Sequence, residues 1–327
     1  MTDTATPQLG STTPAGATSQ GSNIILGPSQ YGKAEVRVVR LTRDTDHHEI
    51  EDLNVTSLLR GDFVAAHLDG DNGHVVATDT QKNTIFSFAR DGIGSPEAFL
   101  LRLSQHFVDG FDWVTGGQWQ AEQYPWDRIR AHGVEHDHSF VRNVQAIRTA
   151  AVVVDGDRTH VLGGLKNLTV LKSTRSGFVG YPKDKYTTLA ETTDRVLSTD
   201  VAARWRYNTA DADGGALDIS SMDFNGSYEQ VKALMLEAFT ENYSSALQNT
   251  LYVMGKRVLS ERPDIEEIRF SMPNKHHFVV DLERFGQDNP GVVLFAADRP
   301  YGLIEATVTR DNASPAGTVW DGLAGFC

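Results

Sequence analysis

The sequence has a single cysteine, Cys327, and that residue is its last. An internal disulfide framework and a thiolate metal cluster are therefore excluded, and a reducing compartment such as the cytoplasm is favoured. No run of about 18 apolar residues is present, so we expect no helix that spans a membrane. Basic residues are the minority, with 30 lysines and arginines against 43 aspartates and glutamates and a formal net charge of -13. Nucleic acid is therefore not expected as a partner.

Familiar signals and motifs are missing as well. The sequence has no GxGxxG or GxxxxGK[ST] loop, no HExxH and no GxSxG, so nucleotide-cofactor and serine-hydrolase interpretations lose their usual support. Residues 1–22 are almost entirely Thr, Ala, Ser, Gly, Pro and Gln, which predicts a disordered tail rather than a secretory signal. The sequence does not end in the Ser-Lys-Leu peroxisomal signal. Together these absences predict a cytoplasmic protein.

Periodic apolar residues predict the same layout twice. In the first half, strands at 36–41 and 55–68 precede helices at 78–90 and from 95 onward, and strands at 113–129 and 140–154 follow. In the second half, strands at 168–173 and 195–207 precede helices from 227 and at 245–259, and strands at 265–282 and 292–310 follow. This ββααββ order, written twice, predicts an α+β fold of antiparallel sheets, each backed by a helix pair.

The expected domain boundaries follow from this layout. Asp155-Gly156-Asp157 is the predicted junction, which gives a first domain over 29–155 and a second over 156–310. Residues 311–327 form a C-terminal tail in which a few large apolar side chains are expected to dock on a neighbouring surface, namely Val319, Trp320, Leu323 and Phe326.

A run of polar groups from Pro273 to Phe278 interrupts an otherwise apolar strand. Side chains two apart on a strand share a face, so Asn274 and His276 should point the same way. Burying such a pair costs free energy unless something accepts its hydrogen bonds. A bound ligand is one candidate acceptor, and a satisfied polar cluster at the edge of the core is the other.

Four other segments place polar groups at the ends of predicted elements. Lys33 opens the first strand, where an ammonium can ease deprotonation of a neighbour. Thr78 and Asp79 begin a helix, either as a capping pair or as part of a site. Arg195 precedes an apolar strand, as a surface charge or as a planar fork for an anion. Gln248 lies at a helix start, where an ordinary solvent-facing glutamine is the alternative.

Histidines are concentrated in one short segment. His132, His136 and His138 lie within seven residues, a spacing that could ligate zinc or copper. The segment is rich in Gly and Asp, so a solvated turn is the other interpretation, and we expect no bound metal. The adjacent pair His47 and His48 is a weaker metal candidate.

Taken together, these segments closely resemble the urate oxidase (uricase) family over nearly all of the region from Tyr31 to Arg310. No single tripeptide is specific, but their order and spacing are. The resemblance rests on Tyr31-Gly-Lys33, Val75-Val-Ala-Thr78-Asp79-Thr-Gln-Lys-Asn-Thr84, His138-Ser-Phe140, Leu168-Thr-Val-Leu-Lys-Ser-Thr174, Thr187-Thr-Leu-Ala-Glu-Thr-Thr-Asp-Arg-Val-Leu-Ser-Thr-Asp200, Gln248-Asn-Thr-Leu-Tyr252, Pro273-Asn-Lys-His276 and Gly302-Leu-Ile304.

The resemblance implies a fold, an assembly and a reaction. The fold is the tunnelling fold, with two tandem ββααββ domains in each chain. Four chains are expected to stack their sheets into a homotetramer with a barrel-walled tunnel, and each active site lies between two subunits. The implied reaction, part of purine degradation, oxidises urate with O2 and water to 5-hydroxyisourate and hydrogen peroxide. In this family it needs neither a metal nor an organic cofactor.

The resemblance also assigns the residues that bind urate. Arg195 and Gln248 would grip the edge of the planar anion, since a guanidinium supplies two donors and an amide both a donor and an acceptor. Leu247 would add a backbone N–H beside Gln248. Phe178 would stack on the purine face.

The remaining roles concern protons and O2. Lys33, Thr78 and His276 resemble the family's proton relay. Thr78 and Asp79 of the partner subunit would close the other side of the ring. Asn274 and Thr78 would frame the pocket for O2 and the attacking water.

Departures from the family pattern are small, and two alternatives stay open. Val179 follows the stacking phenylalanine where Trp is common, and Leu247 replaces the usual Val, so affinity rather than activity is expected to change. A tunnelling-fold enzyme acting on a pterin or GTP would usually need a zinc site with Cys or His ligands. A non-catalytic purine-binding relative would keep the clamp but not the relay.

Overall fold

The computed structural model describes residues 24–209 and 218–323. The first half contains, in chain order, β1 (Tyr31–Thr42), β2 (Glu49–Gly61), α1 (Val64–Leu68), α2 (Thr78–Arg90), α3 (Pro96–Gly110), β3 (Val114–Gln123), β4 (Trp126–Ala131), β5 (Val134–Arg142) and β6 (Ile147–Asp155). The second half contains β7 (Arg158–Lys172), β8 (Leu197–Tyr207), α4 (Phe224–Glu241), α5 (Leu247–Glu261), β9 (Ile265–Val279) and β10 (Leu294–Thr309). The predicted tail over 1–22 lies outside the described residues. Within the described residues, no helix is long and apolar enough to cross a membrane.

Eight strands form one antiparallel sheet, in the order β1-β2-β3-β6-β7-β8-β9-β10, and β4 pairs separately with β5. The predicted α+β class and the doubled ββααββ order are confirmed. The expectation of two separate sheets is wrong, because β6 pairs with β7 directly across the turn that follows Asp155. The two halves therefore share one continuous sheet, and the domain boundary at that turn stays a prediction.

Several predicted strands are too long, and the backbone explains where they end. The strand predicted over 55–68 stops at Gly61, and helix α1 occupies its last residues. The strand predicted over 113–129 divides into β3 and β4 around Pro125, whose nitrogen cannot donate to a ladder. The strand predicted over 140–154 divides before β6 at Ala146, where φ is 52°. A pattern of alternating apolar residues alone does not show where a strand is interrupted in this way.

One face of the sheet carries the four long helices and the main core. Helix α3 begins where predicted, since the Ser95 side chain accepts from the Ala98 N–H and proline follows at the first helical position. Helix α4 begins at Phe224 rather than at Ser227, because Asp223 caps it. The helices bury apolar side chains against the strands, among them Ile85, Phe99, Leu103, Phe107, Val231, Met235, Leu251 and Val258.

The C-terminal segment covers part of the other face. Val319 and Leu323 are buried against Ala151 and Val153 of β6 and Leu162 of β7. The expected docking surface is thus the chain's own sheet. Phe326, the fourth apolar residue of the predicted tail, lies outside the described residues.

Candidate active site

The first group of predicted site residues lies where β1 and α2 begin. Lys33 pairs with Ser57 in the register of β1 and β2. The Ser57 hydroxyl donates to Oε1 of Gln81 over 3.0 Å, and both side chains are fully buried. Gln81 is in the first turn of α2, so this hydrogen bond holds the start of the helix close to β2, beside the N-terminal end of β1.

Thr78 and Asp79 occupy the first turn of α2 without capping it. The N-cap position belongs to Ala77, and no side chain makes a capping hydrogen bond there. Asp79 accepts from Lys82 at 2.5 Å and from Asn83 at 3.0 Å. The hydrogen bond and the charge of Lys82 lower the pKa of Asp79, and Lys33 adds a smaller effect of the same sign. Lys33 and Asp79 therefore lie within electrostatic reach of each other.

The second group centres on Phe178 and Arg195, at the two ends of the long loop between β7 and β8. The backbone of Phe178 exchanges two hydrogen bonds with Thr192, at 2.7 and 3.1 Å, and the Arg195 N–H donates to the Ser176 carbonyl over 2.8 Å. These bonds close the loop on itself. They place the Arg195 guanidinium carbon 5.3 Å from the centroid of the Phe178 ring.

The Arg195 side chain is partly buried rather than fully exposed. Burial lowers its pKa, while the nearby Tyr243 acts in the opposite direction. Its Nε is buried and has no hydrogen-bond partner among residues 24–209 and 218–323. A guanidinium stays charged at neutral pH even with a lowered pKa. Arg195 is therefore a partly desolvated cation whose Nε–H is able to donate a further hydrogen bond.

Helix α5 begins beside this pair. Leu247 and Gln248 are its first two residues, and Ala246 precedes them without a side-chain cap. The first backbone N–H groups of a helix have no partner inside it, and the helix dipole favours an anion there. The Gly177 N–H donates to the Ser244 carbonyl over 2.9 Å, which ties the approach to α5 to the residue before Phe178. Leu247 is buried and Gln248 is exposed.

Asn274 and His276 extend the helix-facing side of β9. The register pairs Asn274 with Thr199, and His276 comes level with the start of β8 beside Arg195. Burial lowers the pKa of His276, and the charges of Arg195 and then His277 lower it further. An imidazole with a pKa below about 6.5 is neutral at pH 7, so His276 is able to accept a proton.

Alternate residues of the same run face the other way. Lys275 forms an ion pair with Asp200 on β8. The His277 Nδ1 lies 3.1 Å from the carbonyl oxygen of Lys275. The partners of these two side chains lie away from Arg195 and Phe178, so the polar run divides into two faces with different surroundings.

One chain does not bring the two groups together. Lys33 is on β1, at one edge of the sheet, and His276 is on β9, six strand-to-strand steps away. At about 4.8 Å per step, this separation is about 29 Å along the sheet. In a single chain, the group of Lys33, Thr78 and Asp79 is therefore separate from His276 and from the clamp group around Arg195.

The histidine segment lies outside both groups. His136 and His138 are on β5, with ring centroids 4.5 Å apart, and the ring of His48 is 5.9 Å from that of His138. His132 sits in the β4–β5 turn with φ of 53°. In the described part of the chain, no group of three His, Cys, Asp or Glu side chains has the geometry to hold a metal ion.

Three neighbours of the site were not singled out from the sequence. Thr199 is fully buried beside Asn274, and its hydroxyl has no partner within the described ranges. The Tyr243 hydroxyl donates to the Thr193 carbonyl over 2.7 Å. Tyr181 stacks on Phe178. Tyr181 and Thr199 lie close in sequence to Phe178 and Arg195, so that proximity was the available signal, whereas Tyr243 is brought to the site by the fold.

Comparison with known proteins identifies the family. The family model described as Uricase matches residues 29–153 and 161–305. The chain is 57% identical over 310 residues to a uricase of Arthrobacter globiformis, covering 95% of this chain and 98% of that protein. It is 37% identical over 290 residues to a uricase of Dictyostelium discoideum, covering 87% and 97% respectively.

Solved structures give the same result. The crystal structure of the Arthrobacter globiformis uricase has a TM-score of 0.85 at 57% identity, over 91% of this chain and 99% of that one. A uricase from Bacillus fastidious has a TM-score of 0.71 at 26% identity, over 86% and 93%. The predicted resemblance is confirmed, and the chain belongs to the uricase family.

Proposed function

We propose that this member of the uricase family oxidises urate with O2 and water to 5-hydroxyisourate and hydrogen peroxide, a step of purine degradation. The observation that carries the proposal is the half-buried Arg195 beside Phe178, next to the uncapped start of α5. A cation can bind the edge of a planar anion while an aromatic ring stacks on its face, and Arg195 and Phe178 supply these two groups.

The clamp group accounts for urate binding. The Arg195 fork donates two hydrogen bonds to one edge of the anion, and Gln248 offers an amide donor and acceptor to another. The N–H of Leu247, at the first position of α5, adds a donor where the helix dipole already favours negative charge. Phe178 supplies the stacking face. We assign these four residues to substrate binding.

Three other residues account for proton movement. The protein must favour an electron-rich urate anion that reduces O2 itself, and two protons must reach the peroxide that leaves. We assign this transfer to Lys33, Thr78 and His276, in which the ammonium polarises the Thr78 hydroxyl and the neutral imidazole accepts and passes a proton. Asn274 and Thr78 frame the space above the ring for O2 and then for water.

The distance between the two groups implies an assembly. We propose a homotetramer in which the partner's Lys33, the partner's Thr78 and the partner's Asp79 complete the site around Arg195. The separation of β1 from β9 along the sheet supports this proposal, because a single chain leaves each group incomplete. The chemistry and the oligomeric state are then inseparable.

An assay with and without a chelator tests the proposed function. Purified protein is treated exhaustively with chelator, and the consumption of urate and O2 is measured together with peroxide release. We expect full activity without added metal, since the assigned residues supply binding and proton transfer without one. Loss of activity on chelation, with recovery on adding copper or zinc, would contradict the cofactor-free mechanism. It would direct attention to His132, His136 and His138.

A further inference from the structure

Tyr181 lies against the ring of Phe178 in the loop between β7 and β8. The two ring centroids are 4.7 Å apart and the ring planes differ by 14°, which is the geometry of a stacked aromatic pair. Both side chains are half-buried. Because Tyr181 covers one face of Phe178, a planar ligand has only the other face on which to stack.

The other end of Tyr181 is anchored to the opposite arm of the loop. Its hydroxyl donates to the Leu189 carbonyl over 2.6 Å. Next to it, the Gly180 N–H donates to Oε1 of Glu191 over 3.0 Å, and Lys183 pairs with the same carboxylate at 3.4 Å. Tyr181 is thus held at its ring by Phe178 and at its hydroxyl by Leu189, which restricts its rotamers.

This arrangement bears on how Phe178 and Arg195 act together. The backbone bonds with Thr192 fix the Cα of Phe178 but leave its side-chain torsions free. Immobilising a side chain on binding costs affinity, and a ring held in its bound orientation before the ligand arrives avoids that cost. Tyr181 is the aromatic neighbour that supplies this restraint on the face away from the ligand.

We propose that Tyr181 is a positioning residue for urate. It holds the plane of Phe178 at the height at which a stacked purine meets the Arg195 fork, and it touches neither the substrate nor O2. The proposal rests on the proposed function, because it assigns Phe178 as the stacking face. It requires a planar aromatic side chain at residue 181, and the hydroxyl is a secondary anchor.

The test replaces the ring and then restores it. In Tyr181→Leu, we expect the KM for urate, and the Kd measured by calorimetry without O2, to rise about three- to tenfold, the scale of one stacked pair. The kcat should stay within about twofold, because only binding is affected. Tyr181→Phe keeps the stack and should match the wild type in both constants. Tyr186→Leu is the matched control, since Tyr186 lies in the same loop and is 76% exposed.

The possible results separate this proposal from the proposed function. A wild-type protein that does not consume urate refutes the proposed function itself. An active wild type with an unchanged KM and Kd in Tyr181→Leu overturns the role of Tyr181. An equal loss in Tyr181→Phe would show that the hydroxyl, not the stack, matters, and would also overturn it. If Tyr181→Leu does not fold, Tyr181→Met also removes the ring while keeping a long apolar side chain and should raise the KM in the same way, whereas a wild-type KM there contradicts the proposal.

Discussion

Arg148 and Glu97 form a buried ion pair, with Nη2 of the arginine 2.7 Å from Oε2 of the glutamate. The same guanidinium donates to Oδ1 of Asn225 over 2.7 Å and to the Phe224 carbonyl over 2.9 Å. Glu97 is in α3 and Phe224 begins α4, so one arginine on β6 joins the helix layers of the two halves. Burial raises the pKa of Glu97 and Arg148 opposes that rise, which makes the pair interdependent.

Removing Arg148 should therefore destabilise the chain strongly. Arg148→Met leaves the Glu97 carboxyl buried without its cation, and we expect a loss of about 3–5 kcal/mol in the free energy of unfolding. Denaturant titration followed by circular dichroism measures it. The double variant Arg148→Met with Glu97→Leu should recover most of the loss, because no unpaired charge remains. Equal stability of the single and double variants would contradict this account.

Activity should fall on the acid side as His276 takes up a proton. Burial, Arg195 and His277 all hold its pKa below the ordinary value of about 6.5. The imidazole is therefore neutral at pH 7 and becomes cationic only as pH falls through that lowered pKa. We expect an acid limb in kcat/KM below about pH 6.5. In His276→Gln this limb should be absent and the rate lower at every pH, and an unchanged limb would remove His276 from the relay.

Lys33 should be required for turnover but not for binding. Since the ammonium acts on the Thr78 hydroxyl and not on the purine edge, Lys33→Met should keep the tetramer and the Kd for urate while turnover drops by about a hundredfold or more. Stopped-flow turnover and calorimetry measure the two effects separately. Lys232→Met is the control, because Lys232 pairs with Glu229 on the surface of α4. Unchanged turnover in Lys33→Met would refute the assigned role.

Two inactive variants should restore each other when mixed. Lys33→Met lacks the relay and Arg195→Met lacks the clamp, so each alone should be nearly inactive. If each site takes Lys33 from one chain and Arg195 from the partner, hybrid tetramers contain sites in which both residues are intact. Random mixing of equal amounts should recover about a quarter of the wild-type activity, provided that the subunits are related by symmetry. Co-expression with two different affinity tags isolates the hybrids, and no recovery would place both groups in one chain.

The sequence predicted helices and strands best where residues at their ends carry a local signal for starting or stopping the element. Helix α2 has the predicted bounds, because a polar start and apolar residues at helical spacing agree. The strand predicted over 55–68 was too long because Phe63, Val64 and Leu68 are apolar and fit a strand or a helix equally well. Only the turn at Gly61 ends the strand and lets a helix begin. The continuous sheet was missed because Asp155-Gly156-Asp157 was interpreted as a domain junction, whereas it is the short hairpin turn that pairs β6 with β7.

For the site, the sequence by itself singled out polar groups without fixing their roles, and the resemblance added Phe178 and Leu247 and supplied the roles. The face shared by Asn274 and His276 follows from strand geometry alone. The distance between β1 and β9 does not, because strand order is invisible in a single sequence. Tyr181 was missed because its stacking on Phe178 depends on how the loop closes, which the sequence does not show.

The docking of the C-terminal segment affects how the chain is made. Val319 and Leu323 cover apolar side chains on both sides of the seam where β6 meets β7, and the Thr318 hydroxyl donates to Oδ2 of Asp155 over 2.9 Å. During translation these residues are made after both strands. The apolar seam at the centre of the sheet thus stays open to solvent, and to other nascent chains, until Val319 and Leu323 have been synthesised. Truncation before Val319 should accordingly lower the yield of assembled protein, even though Val319 and Leu323 pack on Ala151, Val153 and Leu162 rather than on an assigned site residue.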